Sequence, residues 1–144
     1  MVKEFNGDLL TSGCDIIAHQ VNLQGVMGGG LALQIARKYP DCESDYKYAC
    51  EIFKNGLSGK VLFSQINPVI ANCFSQNENF TTNYKWLRKC AKDIEWYAKK
   101  QKLKTVGMPF KYGCGIATGD WETVYSIFCE VFNKSEIELQ IWKI

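Results

Sequence analysis

The chain has 144 residues, 47% of them hydrophobic, which is enough for one compact domain with its own core. Its 17 basic and 15 acidic residues leave a net charge of +2, so nothing in the overall electrostatics calls for nucleic acid or a membrane surface as a partner. Seven scattered cysteines, one histidine and no Cys-x-x-Cys pair supply no structural zinc set, and Met1 leads into a charged segment rather than an apolar signal region; a reduced, cytoplasmic protein is expected.

In chain order, a short strand is expected at Val2 to Phe5, then a Gly7-Asp8 turn. An apolar strand from Asp15 to Val21 runs into the glycine-rich segment Gln24 to Gly30, and an amphipathic helix follows from Gly30 to Tyr39. Pro40 punctuates, and a second helix covers Asp41 to about Phe53. Two runs rich in β-branched and aromatic residues, Lys60 to Ile66 and Val69 to Phe74, read as strands separated by Pro68. Leu87, Cys90, Ala91, Ile94 and Ala98 recur at three and four residues, so a long helix spans about Asn83 to Lys100 with a one-sided apolar face. Its basic residues and those just beyond it, Lys85, Arg88, Lys89, Lys92, Lys99, Lys100, Lys102 and Lys104, are interrupted by Asp93 and Glu95 and read as a solvated face. Thr105 to Met108 is a short strand, Pro109 to Gly119 a second glycine-bearing loop, and Trp121, Val124, Ile127, Phe128 and Val131 mark the inner face of a last helix. An alternating strand from Glu136 to Ile144 closes the chain.

Strands alternating with helices over this length predict a single layered α/β domain, residues 1–144, with a largely parallel sheet between helical layers. The segment His19-Gln20-Val21-Asn22-Leu23-Gln24-Gly25-Val26-Met27-Gly28-Gly29-Gly30 carries the chemical signal. Glycines let the backbone approach a ligand closely, and amides at a helix N-terminus favour an anion. No Lys-Ser or Lys-Thr follows the glycines, so this is not a nucleotide-hydrolysing Walker loop. The second loop, Lys111 to Gly119, also joins a strand to a helix. Both loops are expected to face each other beyond the carboxyl ends of the strands, as a clamp for a diphosphate.

These residues, from Gly7-Asp8-Leu9-Leu10 through His19-Gln20-Val21-Asn22 to Gly113-Cys114-Gly115-Ile116, resemble those of the macro domain family along nearly the whole chain. The resemblance is closest to the ADP-ribose 1''-phosphate phosphatase-like macro domains. It implies a three-layer α/β/α fold with a mixed, mostly parallel central sheet and a pocket for ADP-ribose or a derivative. Asp8, with Leu9 beside it, resembles the acid that accepts from the adenine amine, and Asn22 the asparagine near the distal ribose. Gly28, Gly29 and Gly30 match the loop over the diphosphate, with Val26 and Met27 around it. Gly113, Cys114, Gly115 and Ile116 match the second phosphate loop, and Phe74 lies where a wall of the nucleotide site belongs or, equally, in the core.

His19 and Asp120 are the candidate catalytic residues: His19 for proton transfer near neutrality, Asp120 to activate water or orient His19, with the terminal phosphate near His19, Asn22 and Asp120. The glutamate-specific hydrolases of the family place a lysine shortly before the Tyr-x-x-Leu segment and an aspartate directly after the second glycine loop. Thr81 and Ala117 stand at those positions here. The reading that follows is phosphatase action on ADP-ribose 1''-phosphate, without metal or cofactor. The alternatives are a non-catalytic reader of ADP-ribose or ADP-ribosylated protein, and an ADP-ribosyl hydrolase acting on protein or nucleic-acid adducts.

Overall fold

The computed structural model describes residues 1–115 and 117–144. Among them the strands are β1 (Val2–Asn6), β2 (Ile16–Gln20), β3 (Val61–Ser64), β4 (Val69–Cys73), β5 (Thr105–Pro109) and β6 (Glu138–Lys143), and the helices are α1 (Gly30–Lys38), α2 (Pro40–Phe53), α3 (Tyr84–Lys100) and α4 (Trp121–Phe132). The sheet order is β1-β6-β5-β2-β4-β3, parallel throughout except for the antiparallel β3–β4 pair.

Side-chain alternation along β2 and β4 divides the core between two helical layers. Ile16, Ala18, Val69, Ala71 and Cys73 pack with Leu87, Cys90, Ala91 and Ile94 of α3 and Val124, Ile127 and Phe128 of α4. Ile17, Val21, Ile70 and Phe74 pack on the other face with Ile35 of α1 and Cys42, Tyr46 and Ala49 of α2. Each fully buried aliphatic or aromatic side chain contributes about 1.5–3 kcal/mol, and most of this residue set is fully buried. The outer face of α3 is a solvated charge array, with ion pairs Lys89–Asp93, Lys99–Glu95 and Arg88–Glu130.

The elements follow the periodicity of the sequence, with ends shifted by one or two residues where caps decide. Asn83 lies outside α3 and caps it, its side-chain oxygen accepting from the Trp86 amide at 3.1 Å. The strand expected over Lys60 to Ile66 keeps only Val61–Ser64, and Gln65 turns to φ +64°. Five cysteines are buried, Cys114 and Cys129 are half-buried, and all seven are free thiols.

The two strands that carry the glycine loops, β2 and β5, are direct neighbours, paired at Ile16–Val106 and Ile17–Gly107. Gly107 makes this close layer possible: a Cβ there would lie 2.7 Å from Leu9 Cδ1 and 2.9 Å from Cys14 Sγ, both in buried residues. Gly107→Ala should therefore lower unfolding free energy by about 1–3 kcal/mol through overpacking, read as a lower urea midpoint with unchanged slope.

Candidate functional site

Because β2 and β5 end side by side, the segment after each opens over the same sheet edge. Between them lies a cleft of about 640 Å³, floored by His19, Gln20 and Pro109. Val21, Asn22, Val26 and the run Gly28 to Ala32 form one wall, Lys111, Tyr112, Gly113, Gly115 and Ala117 a second, and Gln76 and Phe80 a third. A second chamber of about 310 Å³ adjoins it across Leu31, Pro109 and Phe110, and is bounded by Gly7, Asp8, Leu9, Gln34, Trp142 and Lys143.

The first loop is held by Asn22. Its side-chain oxygen accepts from the amides of Gln24 at 3.0 Å and Val26 at 3.3 Å and from the Tyr46 hydroxyl at 2.6 Å, while its amide donates to the Val26 carbonyl at 2.8 Å. Burial raises the Tyr46 phenol well above its ordinary value, so it stays a donor. The loop then delivers the chain to α1, whose N-cap is Gly29 with no side-chain cap. The amides of the first turn, Gly30 to Ala32, thus have no intrahelical acceptor and border the cleft. By contrast, α3 and α4 are closed by Asn83 and Asp120.

The second loop folds on itself. Gly113, at φ +70°, has a carbonyl that accepts from the Gly119 amide at 2.8 Å and the Thr82 hydroxyl at 2.7 Å. A Cβ on Gly119 would sit 2.5 Å from that carbonyl oxygen, so glycine is required there.

Charge is divided between the chambers. The described lining of the first contains no carboxylate and one ammonium, that of Lys111; the second holds the Asp8 carboxylate, one oxygen of which accepts from the Leu10 amide at 2.9 Å. The Lys111 and Lys143 ammoniums lie 5.7 and 4.8 Å from the centre of the Phe110 ring, which separates the chambers. No group of three or more His, Cys, Asp or Glu side chains among the described residues could hold a metal ion, and no helix among them is long and apolar enough to cross a membrane.

The structure brings Asp8 and Leu9 to the second chamber and His19, Asn22, Val26, Gly28, Gly29, Gly30, Gly113 and Gly115 to the first. Ile116 lies outside the described residues. Four expected residues are elsewhere. Met27 turns inward and is buried with α1 and α2. Phe74 shares the inward face of β4 with Ile70 and stacks on Tyr46 at 5.8 Å, so it is core. Cys114 packs half-buried against the α3–α4 core, its thiol 3.3 Å from the Tyr112 carbonyl. Asp120 is not in the cleft wall: its Oδ2 accepts from the Thr123 amide at 3.1 Å and hydroxyl at 2.8 Å, because the first turn of α4 needs a cap.

His19 reaches the cleft but not as a group titrating near neutrality. It is 2% exposed, and burial lowers its pKa to about 4, against a smaller opposing effect of its hydrogen bond to Asn72. Gln20, Phe110, Lys111 and Tyr112, which belong to the two glycine-bearing segments expected at the site but are not named as site residues, line the cleft together with Gln76 and Phe80, which lie outside those segments. The available signals were Gln20, adjacent to His19 at a strand's carboxyl end, and the polar turn Gln76 to Thr81 around an aromatic.

Two outcomes follow. The folded chain resists protonation of His19, whereas the unfolded chain accepts it near pH 6.5; this contribution to stability is complete above that pH and is lost as pH falls toward 4, about 3 kcal/mol in all. Urea unfolding of the wild type and His19→Gln across pH 7 to 4 should show the excess slope in the wild type alone. Asp120→Ala should cost about 1 kcal/mol of stability and leave the affinity of the cleft for its ligand unchanged, measured by urea titration and calorimetry.

No protein-family model matches the chain. It is 28% identical to the ADP-ribose 1''-phosphate phosphatase of Candida albicans over 92% of this chain and 95% of that protein. It is 24% identical to a DNA ADP-ribosyl transferase–DNA ADP-ribosyl glycohydrolase fusion protein of Thermosipho africanus, over 94% of this chain but 40% of the fusion's length. Its fold superposes on the macrodomain of Mycobacterium tuberculosis DarG with a TM-score of 0.86 at 24% identity, covering 99% of this chain and 97% of the other.

Proposed function

Since the chain is a macrodomain by fold and homology, we propose that it binds ADP-ribose and hydrolyses ADP-ribose 1''-phosphate to ADP-ribose and phosphate. The observation that carries this reading is the pair of chambers. An uncapped helix N-terminus and a self-folded glycine loop border the cleft with Lys111, and the Asp8 carboxylate lies across the Phe110 ridge.

The adenine amine donates to Asp8, a suitable partner for an N–H donor. The diphosphate crosses Leu31 and Phe110, where the open α1 amides and Lys111 face its oxygens. The distal ribose then lies in the larger chamber near Asn22 and His19. Hydrolysis breaks the bond between the terminal phosphorus and the ribose 1''-oxygen as water attacks phosphorus. A loose phosphoryl transition state asks chiefly for positioning and stabilisation of spread negative charge, which backbone amides and an ammonium supply. His19, neutral at physiological pH, contributes as an acceptor rather than as a cation.

Thr81 favours this reaction over a lysine-dependent cleavage of a glycosidic adduct. Its hydroxyl is bound within the turn, 2.6 Å from Asn79 Oδ1 and 3.0 Å from Asn77 Nδ2, and Lys85 does not border the cleft. The similarity to the Thermosipho fusion protein keeps release of ADP-ribose from a modified oligonucleotide as the second reading.

Calorimetry with ADP-ribose should give a saturable isotherm, and Asp8→Asn, which retains an oxygen for the Leu10 amide, should weaken it about 10- to 100-fold. Phosphate should be released from ADP-ribose 1''-phosphate. Binding without phosphate release, with ADP-ribose freed instead from an ADP-ribosylated oligonucleotide, transfers the assignment to the second reading; absence of ADP-ribose binding overturns both.

A further inference from the structure

Two buried polar atoms, each in a side chain that lines the cleft, lack a hydrogen-bond partner among the described residues: Nδ1 of His19 and Oε1 of Gln76. An orphaned buried polar atom costs stability comparable to a lost hydrogen bond, and two at one cleft point to a ligand that completes them. What each can do is fixed by the groups behind it.

Asn72 Nδ2 lies 2.9 Å from the Leu62 carbonyl, which can only accept. Asn72 Oδ1 therefore faces His19, and at 2.7 Å it accepts from Nε2–H. In the neutral ring Nδ1 then carries a bare lone pair. Gln20 Nε2 donates to the Ser75 hydroxyl at 2.9 Å and to the Ser75 carbonyl at 3.3 Å, so Gln20 Oε1 is an acceptor. It receives Gln76 Nε2–H at 2.9 Å, which leaves Gln76 Oε1 as a second buried acceptor without a partner among the described residues.

Resting on the ADP-ribose reading, we infer that His19 Nδ1 and Gln76 Oε1 are positioned acceptors for hydroxyl groups of the distal sugar, so that the cleft recognises this sugar by donors it must keep free. The same wiring orients the substrate. A phosphate oxygen set against either atom would place acceptor against acceptor, so the terminal phosphate faces away from both. The sequence reading instead expects the terminal phosphate near His19, Asn22 and Asp120. Gln20 and Asn72 are the positioning residues: Gln20 sets Gln76, and Asn72 sets His19.

The test compares ADP-ribose with ADP, which lacks the distal sugar, by calorimetry on the wild type and on Gln76→Met. The variant should lose about 3- to 10-fold in affinity for ADP-ribose and nothing for ADP. Because the chain has one histidine, its ring nitrogens give a single assignable pair of NMR signals in the wild type. The free protein should show a protonated Nε2 and a bare Nδ1, and ADP-ribose, but not ADP, should shift Nδ1 in the direction of hydrogen bonding. Equal losses for the two ligands, no loss for either, or a protonated Nδ1 in the free protein overturns the inference while ADP-ribose binding stands. A wild type that binds ADP but gains nothing from the sugar overturns it too, and one that binds neither removes the reading beneath it.

Discussion

The site depends on one constraint: β2 is hydrogen-bonded on both edges, to β5 and β4, and covered on both faces, so nothing in it is free to adjust. A parallel strand in that position must be apolar along its length, and Ile16, Ile17 and Ala18 meet that demand. Its carboxyl end is where the demand lapses. There the chain places His19, Gln20 and Asn22, and the neighbouring β5 opens its own loop alongside. Both loops arise at one edge because their strands are adjacent and parallel, a relation that no property of either loop contains.

Polar groups buried in so tight a frame are useful only if their orientation is determined. Carbonyl oxygens perform that task, since they accept and never donate. The Leu62 carbonyl fixes the Asn72 amide, and the Ser75 carbonyl fixes that of Gln20. From these two anchors the orientation passes outward to His19 and Gln76, and each chain of hydrogen bonds ends in an acceptor at the cleft. Such a network rigidifies its members, and its open ends are where completion by a ligand gains most.

Helix termini divide the remaining electrostatics. In α3 and α4 a first-turn amide is taken up by a side-chain cap, Asn83 and Asp120 respectively. A glycine at the cap of α1 leaves its donors for the cleft. Asp8, one chamber away, supplies the opposite character, so an elongated ligand with an amine at one end and phosphates in the middle finds matching partners in sequence along the groove.

Much of this was legible in the chain. Periodicity gave the alternation of strands and helices, the glycines marked the two loops, and the family resemblance implied the placement of Asp8 and Asn22. Side-chain fate was less legible. Met27 and Phe74 sit among site residues in sequence, yet they are inward-facing and buried; Asp120 reads as an acid near a loop, yet it is consumed by the helix it starts. The pKa of His19 depends on burial by α1, α2 and the sheet, and the acceptor role of Gln76 depends on Ser75 through Gln20. By itself the sequence determined the local conformations and the glycine loop that opens α1, because these arise from backbone geometry and short-range pattern. Tertiary structure alone decided which atoms remained unpaired at the cleft, because hydrogen-bond direction is set by partners far apart in the chain that meet only when the sheet is assembled.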